Sequence, residues 1–493
     1  MERTWSWAEA RWPHLTARPL ICALPAFFGG LLAPFAPAAC FLSLISLVLM
    51  RKRLGIAVAA LLLGLARANL ALHGSPLKTG EYTLRGTVAS TPNVGFSTQT
   101  FLFDIGQDTM LASATADAAL CAGDFIELHG TVRPIVPYSD DPSGGLLANY
   151  WLRRGITRRI STAWIGGLRI IEPGGGIASI GGAWRNRTWE LLRSQLDADR
   201  AGIAMGIVAG QQSLVDPGIL RDMTRSGTLH LIATSGYNVM LLAGLAFMGL
   251  SALPIHRSVQ ILLVVLVLIV YLAAVGDRPS ILRATIMAVV MLCAYIFDRA
   301  PDVLSALAFA AVVCALIQPA SVFDAGYQLS FIVLLALALY GPACFDFINR
   351  KTAPVSNAQL RWFLRWALAI VGTTLLCELG AAPILAAHFG QVSVVAPVAN
   401  LLTVVAVPAV YAGVFLSQIF APLLPGVSDF VAAWVVGPAS GWIETCNRAL
   451  AKPVWAAATF SPIPGWVAAL AVACIVLFSR PRGSVRAFST EPG

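Results

Sequence analysis

Val259-Gln-Ile-Leu-Leu-Val-Val-Leu-Val-Leu-Ile-Val-Tyr271-Leu-Ala-Ala-Val275 carries no charge, no proline and no glycine. A helix needs ~20 apolar residues to cross the hydrocarbon of a bilayer, so this run reads as a membrane span. Similar runs lie at 303–317, 327–345, 392–428 and 454–479. Residues 392–428 are too long for one helix and hold Pro397, Pro408, Pro422 and Pro425, so that run must break. Residues 201–480 therefore read as a transmembrane domain, with about seven to nine helices predicted.

The whole chain agrees. Of 493 residues, 57% are hydrophobic and 12% charged, with a mean hydropathy of +0.74. A soluble domain carries about 25% charged residues. An ordinary cytosolic enzyme, a disordered tail and a secreted disulfide scaffold are excluded. Toward the N-terminus, Arg3, Arg11 and Arg18 precede a charge-free stretch from Leu20 to Met50, too long for a signal peptide. Helices are predicted at 19–34, 37–50 and 54–72. The basic cluster Arg51-Lys52-Arg53 is placed in the cytoplasm, which delivers residue 73 to the outer side.

Between these apolar regions the chain changes character. Residues 73–200 hold 24 charged residues in 128 positions, against 22 in 279 for residues 201–479. The polar segment alternates with period two and is punctuated by turn residues. Strands are predicted at 82–90, 98–106, 109–115, 124–135 and 155–172, with a short helix at 146–153. Five strands and one helix suit a small Greek-key barrel of the OB type, or a plain β-sandwich. From 177 to 200 the pattern turns helical. Trp184, Leu191, Leu192 and Leu196 face one way and Arg185, Arg187, Arg193 and Asp197 the other, as in an interfacial helix.

The fold expected is a polytopic α-helical membrane protein with an extracytoplasmic OB-type small β-barrel insert. Its parts are N-terminal transmembrane helices (1–74), the barrel (75–172), an amphipathic interfacial helix (173–200), the transmembrane domain (201–480) and a short cytoplasmic tail (481–493).

Charge and cysteine bound the partners. The net charge is +9, and only four of the 34 basic residues are lysine. Arginine grips phosphate through two parallel hydrogen bonds, which suits a polyanionic partner; positive-inside loops give the same bias. The nine cysteines show no zinc spacing, and no metal or cofactor is expected.

Polar groups at bilayer depth need a partner or a wet cavity. The densest set is Gly227-Thr-Leu-His230-Leu-Ile-Ala-Thr234-Ser235-Gly236-Tyr-Asn238-Val. On one helix, His230, Thr234 and Asn238 share a face, with Ser235 beside it. Such a stripe lines a path or seals a helix–helix contact. Arg278 and Arg283 follow in Gly-Asp-Arg-Pro-Ser-Ile-Leu-Arg283. Arg283 either snorkels or faces a cavity. Gln328, Glu378 and Asn400 are further polar interruptions, and Pro383 marks a kink between Glu378 and His388. His230 and Ser235 lie about 140° apart around a helix, which argues against an intramembrane hydrolase.

These motifs carry a resemblance. His230-Leu-Ile-Ala-Thr-Ser-Gly-Tyr-Asn238-Val is similar to the H-L-L-A-x-S-G-L-[HN]-V block of the ComEC competence family. Ser280-x-x-Arg283-Ala284, Pro319 followed by Gly326-Tyr-Gln-Leu-Ser-Phe331, and the segment from Asn400 to Pro408 recur in family order. Gly123-Asp124 and Asn149-Tyr150-Trp-Leu-Arg-Arg-Gly155-Ile resemble positions in the family's OB domain. The resemblance implies an inner-membrane channel for single-stranded DNA in natural transformation, not an enzyme.

Its implied path is His230, Thr234, Ser235, Asn238, Arg278, Arg283, Gln328, Glu378 and Asn400. Its implied strand-receiving groove uses Arg85, Phe101, Phe103 and Arg133 on the barrel. Phe101 and Phe103 share one strand face, so barrel core is the competing reading. The implied partners are single-stranded DNA, a DNA receptor, a helicase, a separate nuclease and the lipid bilayer, with a possible homo-oligomer. Two departures are expected. Cys121 has no partner in the OB segment for a family disulfide, and the metallo-β-lactamase-like domain of longer members is not expected here. The alternative function is a polytopic transporter or scaffold for another cell-envelope substrate.

Overall fold

A computed structural model describes residues 78–459, apart from 95–97, 107, 116–119, 136–150, 152–155, 163–166, 234–235, 277–278, 298–301, 319–320 and 323, together with Leu24, Phe27, Phe28 and Val467. The predicted helices at 19–34, 37–50 and 54–72 and the tail at 481–493 lie outside the described residues, as does all of the 146–153 helix except Trp151.

The polar segment forms β1 (Gly80–Val88), β2 (Asn93–Val94), β3 (Thr98–Asp104), β4 (Thr109–Thr115), β5 (Phe125–Pro134), β6 (Arg158–Ser161) and β7 (Leu168–Glu172). The order β1-β3-β4-β6-β5 closes on itself because β1 also pairs with β5, from Gly80↔Val132 to Thr87↔Phe125. All pairings around the ring are antiparallel except β4 with β6. The result is a closed barrel of five strands, and closure removes the exposed edges that invite aggregation. β2 pairs with β3, and β7 pairs with β5. Alternation sets the interior: Val88, Phe101, Phe103, Met110, Ala112, Ile126, Leu128, Val132 and Ile160 are buried together. The single strand predicted at 155–172 is two strands: β6 pairs with Thr131–Pro134 of β5, and β7 with Phe125–Leu128 of the same strand.

Helices follow: α1 (Ile177–Gln195), α2 (Ala198–Ala209), α3 (Pro217–Ser226), α4 (Gly236–Ser251), α5 (Arg257–Val275), α6 (Pro279–Ile296), α7 (Val303–Ile317), α8 (Ala325–Thr352) and α9 (Ala358–His388). After β8 (Gln391–Ser393) come α10 (Ala396–Thr403), α11 (Ala406–Phe420), α12 (Pro425–Val431), a π-helical turn (Ala432–Val436), α13 (Gly437–Ala451) and β9 (Ala457–Thr459). Among the described residues, four stretches are long and apolar enough to cross a membrane: Arg257–Val275, Ala325–Thr352, Ala358–His388 and Ala396–Phe420. Gly236–Ser251, Ser280–Ile296 and Val303–Ile317 are shorter apolar helices. The 392–428 run breaks at the turns between α10 and α11 and between α11 and α12.

The chain divides into two units. One comprises residues 74–285 and 391–460, and the other is built around residues 286–390. The core of the first is α2, whose residues 201–209 are all buried, packed among Leu192, Ile219, Met223, Val407, Tyr411, Val414, Val436 and Ile443. Its small residues let neighbouring backbones approach closely, as membrane helix packing requires. Within this unit α1 does more than lie at an interface. Trp184 stacks on Phe415, Leu192 is buried, and Arg185, expected on the polar face, is buried too.

In the second unit α8 and α9 form a long hairpin. Arg361 donates to the Val355 carbonyl at 3.1 Å and Arg365 to the Thr352 hydroxyl at 2.9 Å. Asn357 caps α9 by accepting from the Gln359 and Leu360 amides. Proline interrupts both helices, at Pro342 and Pro383.

Candidate functional site

The last carbonyls of a helix have no partner within it. Those of α2 point into packed core and are answered from three other helices. The Tyr271 hydroxyl of α5 donates to the Val208 carbonyl at 2.8 Å and lies 2.8 Å from the Tyr411 hydroxyl of α11. Tyr411 lies 3.2 Å from the Ile207 carbonyl, and the Asn238 amide of α4 donates to the same oxygen at 3.0 Å. All three side chains are buried. Asn238 thus ends in a dense knot of helices. Tyr271 and Tyr411 were not singled out from sequence, although a hydroxyl inside an apolar run was the available signal.

The stripe expected from His230, Thr234 and Asn238 does not form. Asp216 and Pro217 start α3, and Gly227 ends it in a left-handed conformation with φ 78°. The chain then makes a 3-10 turn, Leu229–Leu231, separate from the helix Gly236–Ser251 that carries Asn238. His230 is exposed, with Nδ1 3.0 Å from the Gly227 carbonyl, while Asn238 is fully buried. Thr234, Ser235 and Arg278 lie outside the described residues.

The turn before His230 is fixed from α13. The Ser226 hydroxyl donates to Asn447 Oδ1, as does the Thr228 hydroxyl at 2.6 Å, and Asn447 Nδ2 donates to the Ile443 carbonyl at 2.8 Å. Arg225 reaches the carbonyls of Ala451 and Pro453 at 3.0 and 2.9 Å, and Ser393 donates to the Arg225 carbonyl. These fixings were also missed, because they join residues 168 to 228 positions apart.

Arg283 of α6 is buried, 7% exposed, so it does not snorkel. Its Nη2 lies 3.1 Å from where a Cβ on Gly236 would stand, which places the guanidinium at the start of α4. Asn400 is half-buried on α10. In the other unit, the Gln328 amide donates to the Val322 carbonyl at 3.1 Å, and its oxygen lies 3.0 Å from His388 Nε2. Glu378 is half-buried on α9, and its Oε2 has no hydrogen-bond partner among the described residues.

On the barrel, Phe101 and Phe103 are 2% and 0% exposed and fill the interior. Strand alternation turns both inward, which corrects their expected role as stacking platforms. Arg85 is exposed and paired with Glu127 at 2.6 Å across β1 and β5. Arg133 is exposed and stands directly opposite Arg159, also exposed, across β5 and β6. Like charges directly opposite one another destabilise a sheet unless something neutralises them. Arg159 was missed because the register of β6 against β5, across the long connection that separates them, is not fixed by either strand's own pattern. Among the described residues no group of three or more His, Cys, Asp or Glu is placed to hold a metal ion.

Comparison with known proteins returns the same picture as the apolar helices, which point to a membrane protein. Over 259 residues, 51% of this chain, it is 30% identical to ComE operon protein 3 of Bacillus subtilis (strain 168). The match covers 31% of that protein's length, so the chain spans about a third of it. No solved structure matches. A family model described as "Competence protein" matches residues 207–482, more than half of the molecule, from the end of α2 onward. The buried hub, the His230 turn and Arg283 all fall inside that match, and the chain belongs to the Competence protein family.

Proposed function

We propose that the protein is a multi-pass channel of the cytoplasmic (inner) membrane that imports single-stranded DNA during natural transformation. In this reading the barrel is of the OB type, lies outside the membrane and receives the strand, and polar helices of residues 201–480 conduct it. The observation that carries the DNA reading is the Arg133–Arg159 pair: two exposed guanidiniums held opposite each other on the barrel call for a polyanion. Family membership supplies the biological context. A DNA receptor, a helicase, a separate nuclease and further copies of the chain are the partners this reading requires.

The path is closed in this conformation. Asn238, Tyr271 and Tyr411 are each buried in packed core. Conduction therefore needs the seam beside α4 to part, and Arg283, at the start of that helix, is the group placed to meet phosphate when it does. Contacts along such a path must be weak and numerous, or the strand would stall.

Transformation of a clean deletion strain tests this. The expected result is loss of transformation with DNA capture at the cell surface intact, restored by the wild-type chain. Normal transformation with an envelope defect would favour transport of a cell-envelope substrate instead.

A further inference from the structure

The chain passes from β7 into α1 through Pro173-Gly174-Gly175-Gly176, a strand, a glycine loop and a helix start in succession. Gly176 is the N-cap, with φ 84° and no side chain to cap the helix, and no acidic residue lies in the first turn. The first amides of a 19-residue helix are thus left as open donors at its positive end. A cavity of about 380 Å³ opens here, lined by Pro173, Gly174, Ser179 and Ile180 from the loop and first turns, and by Cys121 and Asp124 from the barrel.

A second observation lies two turns along. Arg185 is 6% exposed, and its Nε and Nη1 are buried with no hydrogen-bond partner among the described residues. A guanidinium buried without a counter-charge is strongly unfavourable, so its position implies an anion. Helical side chains lean toward the N-terminus, so Arg185 leans back over Gly182. Gly182 packs against the Cys121 thiol, which lines the cavity. Burial lowers the Arg185 pKa to about 10, countered in part by Cys121, and the group stays charged at neutral pH. Asp124 does not answer it. One carboxylate oxygen accepts the Cys121 amide and the other the Gly174 amide, both at 2.7 Å, which ties the glycine loop to the barrel.

We propose that this seam is a phosphate-binding site, formed by the glycine loop, the open start of α1 and the Arg185 guanidinium, whose ligand is a phosphodiester of the incoming strand. The identity of the ligand rests on the DNA reading above, whereas the phosphate chemistry does not. The arrangement uses the two features by which proteins hold phosphate, backbone amides at a helix start and a fork of guanidinium donors.

Cys121 gives a local readout. Burial and the Asp124 charge raise its pKa above the usual thiol value, so labelling is run at mildly alkaline pH. Full-length protein in detergent is treated with N-ethylmaleimide, and modification of Cys121 is followed by peptide mass spectrometry. Inorganic phosphate, against chloride at equal ionic strength, is expected to slow labelling roughly threefold at about twice its dissociation constant. A thymidine oligonucleotide is expected to protect at lower concentration. Arg185→Gln should abolish both effects. Gly175→Asp is the second variant: a Cβ there meets nothing within 4 Å, so the fold is kept while a carboxylate enters the loop. Labelling that ignores phosphate in the wild type, or protection that survives in both variants, overturns the site, as does protection by anionic lipid alone. If the oligonucleotide binds the protein yet leaves Cys121 unprotected, this inference fails and the DNA reading stands. If phosphate protects and the oligonucleotide binds nowhere, the DNA reading fails and the phosphate site stands.

Discussion

Gly227 shows how much one residue can decide. Its φ of 78° is a left-handed conformation, and a Cβ there would stand 2.6 Å from that of Ala396 and 2.9 Å from that of Ser393. The left-handed backbone alone costs a side chain about 1–2 kcal/mol. Gly227→Ala should therefore destabilise the protein by about 2 kcal/mol or more, measured as a lower unfolding temperature in detergent. Phe101 tests a different claim. As barrel core, Phe101→Ala should cost about 3–5 kcal/mol and expose the barrel to protease. A variant that kept its stability and lost only DNA affinity would restore the ring to the surface. Asn447 was silent in the sequence for a plain reason: an asparagine in the middle of a helix does not announce that two hydroxyls, from the end of another helix and the turn after it, will share its oxygen.

At the scale of elements, the barrel was largely legible. Period-two alternation placed β3, β4 and β5 within two residues of their observed ends, because one face of each strand must be apolar to fill the interior. What alternation cannot give is the neighbour. The parallel pairing of β4 with β6 follows from closure of the ring, and the Arg133–Arg159 confrontation from the register of β6 against β5; both are invisible to a local pattern. The same limit undid the polar stripe at 230–238, where helical spacing was read straight through a segment that Gly227 and Gly236 interrupt. The arginine pair yields a prediction. Replacing Arg133 and Arg159 by glutamine should weaken binding of the full-length protein to single-stranded DNA. It should also lower the slope of log affinity against log salt by roughly 1.4, about 0.7 per lost phosphate contact. An unchanged slope would move the strand-binding face elsewhere on the barrel.

At the scale of the molecule, composition alone separated the apolar helices, which point to a membrane protein, from the polar segment that forms the barrel. Two length scales set them: ~30 Å of hydrocarbon to cross, and enough alternating strand to enclose a core. The path for a strand was less legible. Polar residues in apolar sequence say that a partner exists, and not whether it is water, a ligand or another helix. Asn238 found a backbone carbonyl, whereas Arg283 is buried at the start of α4. The prediction is that Arg283→Ala inserts at normal level and loses transformation by at least tenfold, scored by colony counts against protein abundance. Transformation unaffected at equal abundance would reduce Arg283 to a packing role.

The α8–α9 hairpin carries a consequence for the host membrane. Its helices have 28 and 31 residues, about 42 and 46 Å at 1.5 Å per residue, well beyond the hydrocarbon they are read to cross. Arg350, Lys351, Arg361 and Arg365 cluster at the turn, beside exposed Trp362 and Phe363. Such groups prefer the headgroup layer, so the turn fixes the depth at which the hairpin is seated. Growth in the cold or a change of acyl-chain length would then alter its inclination and the reach of its far ends, while the arginine collar keeps its level.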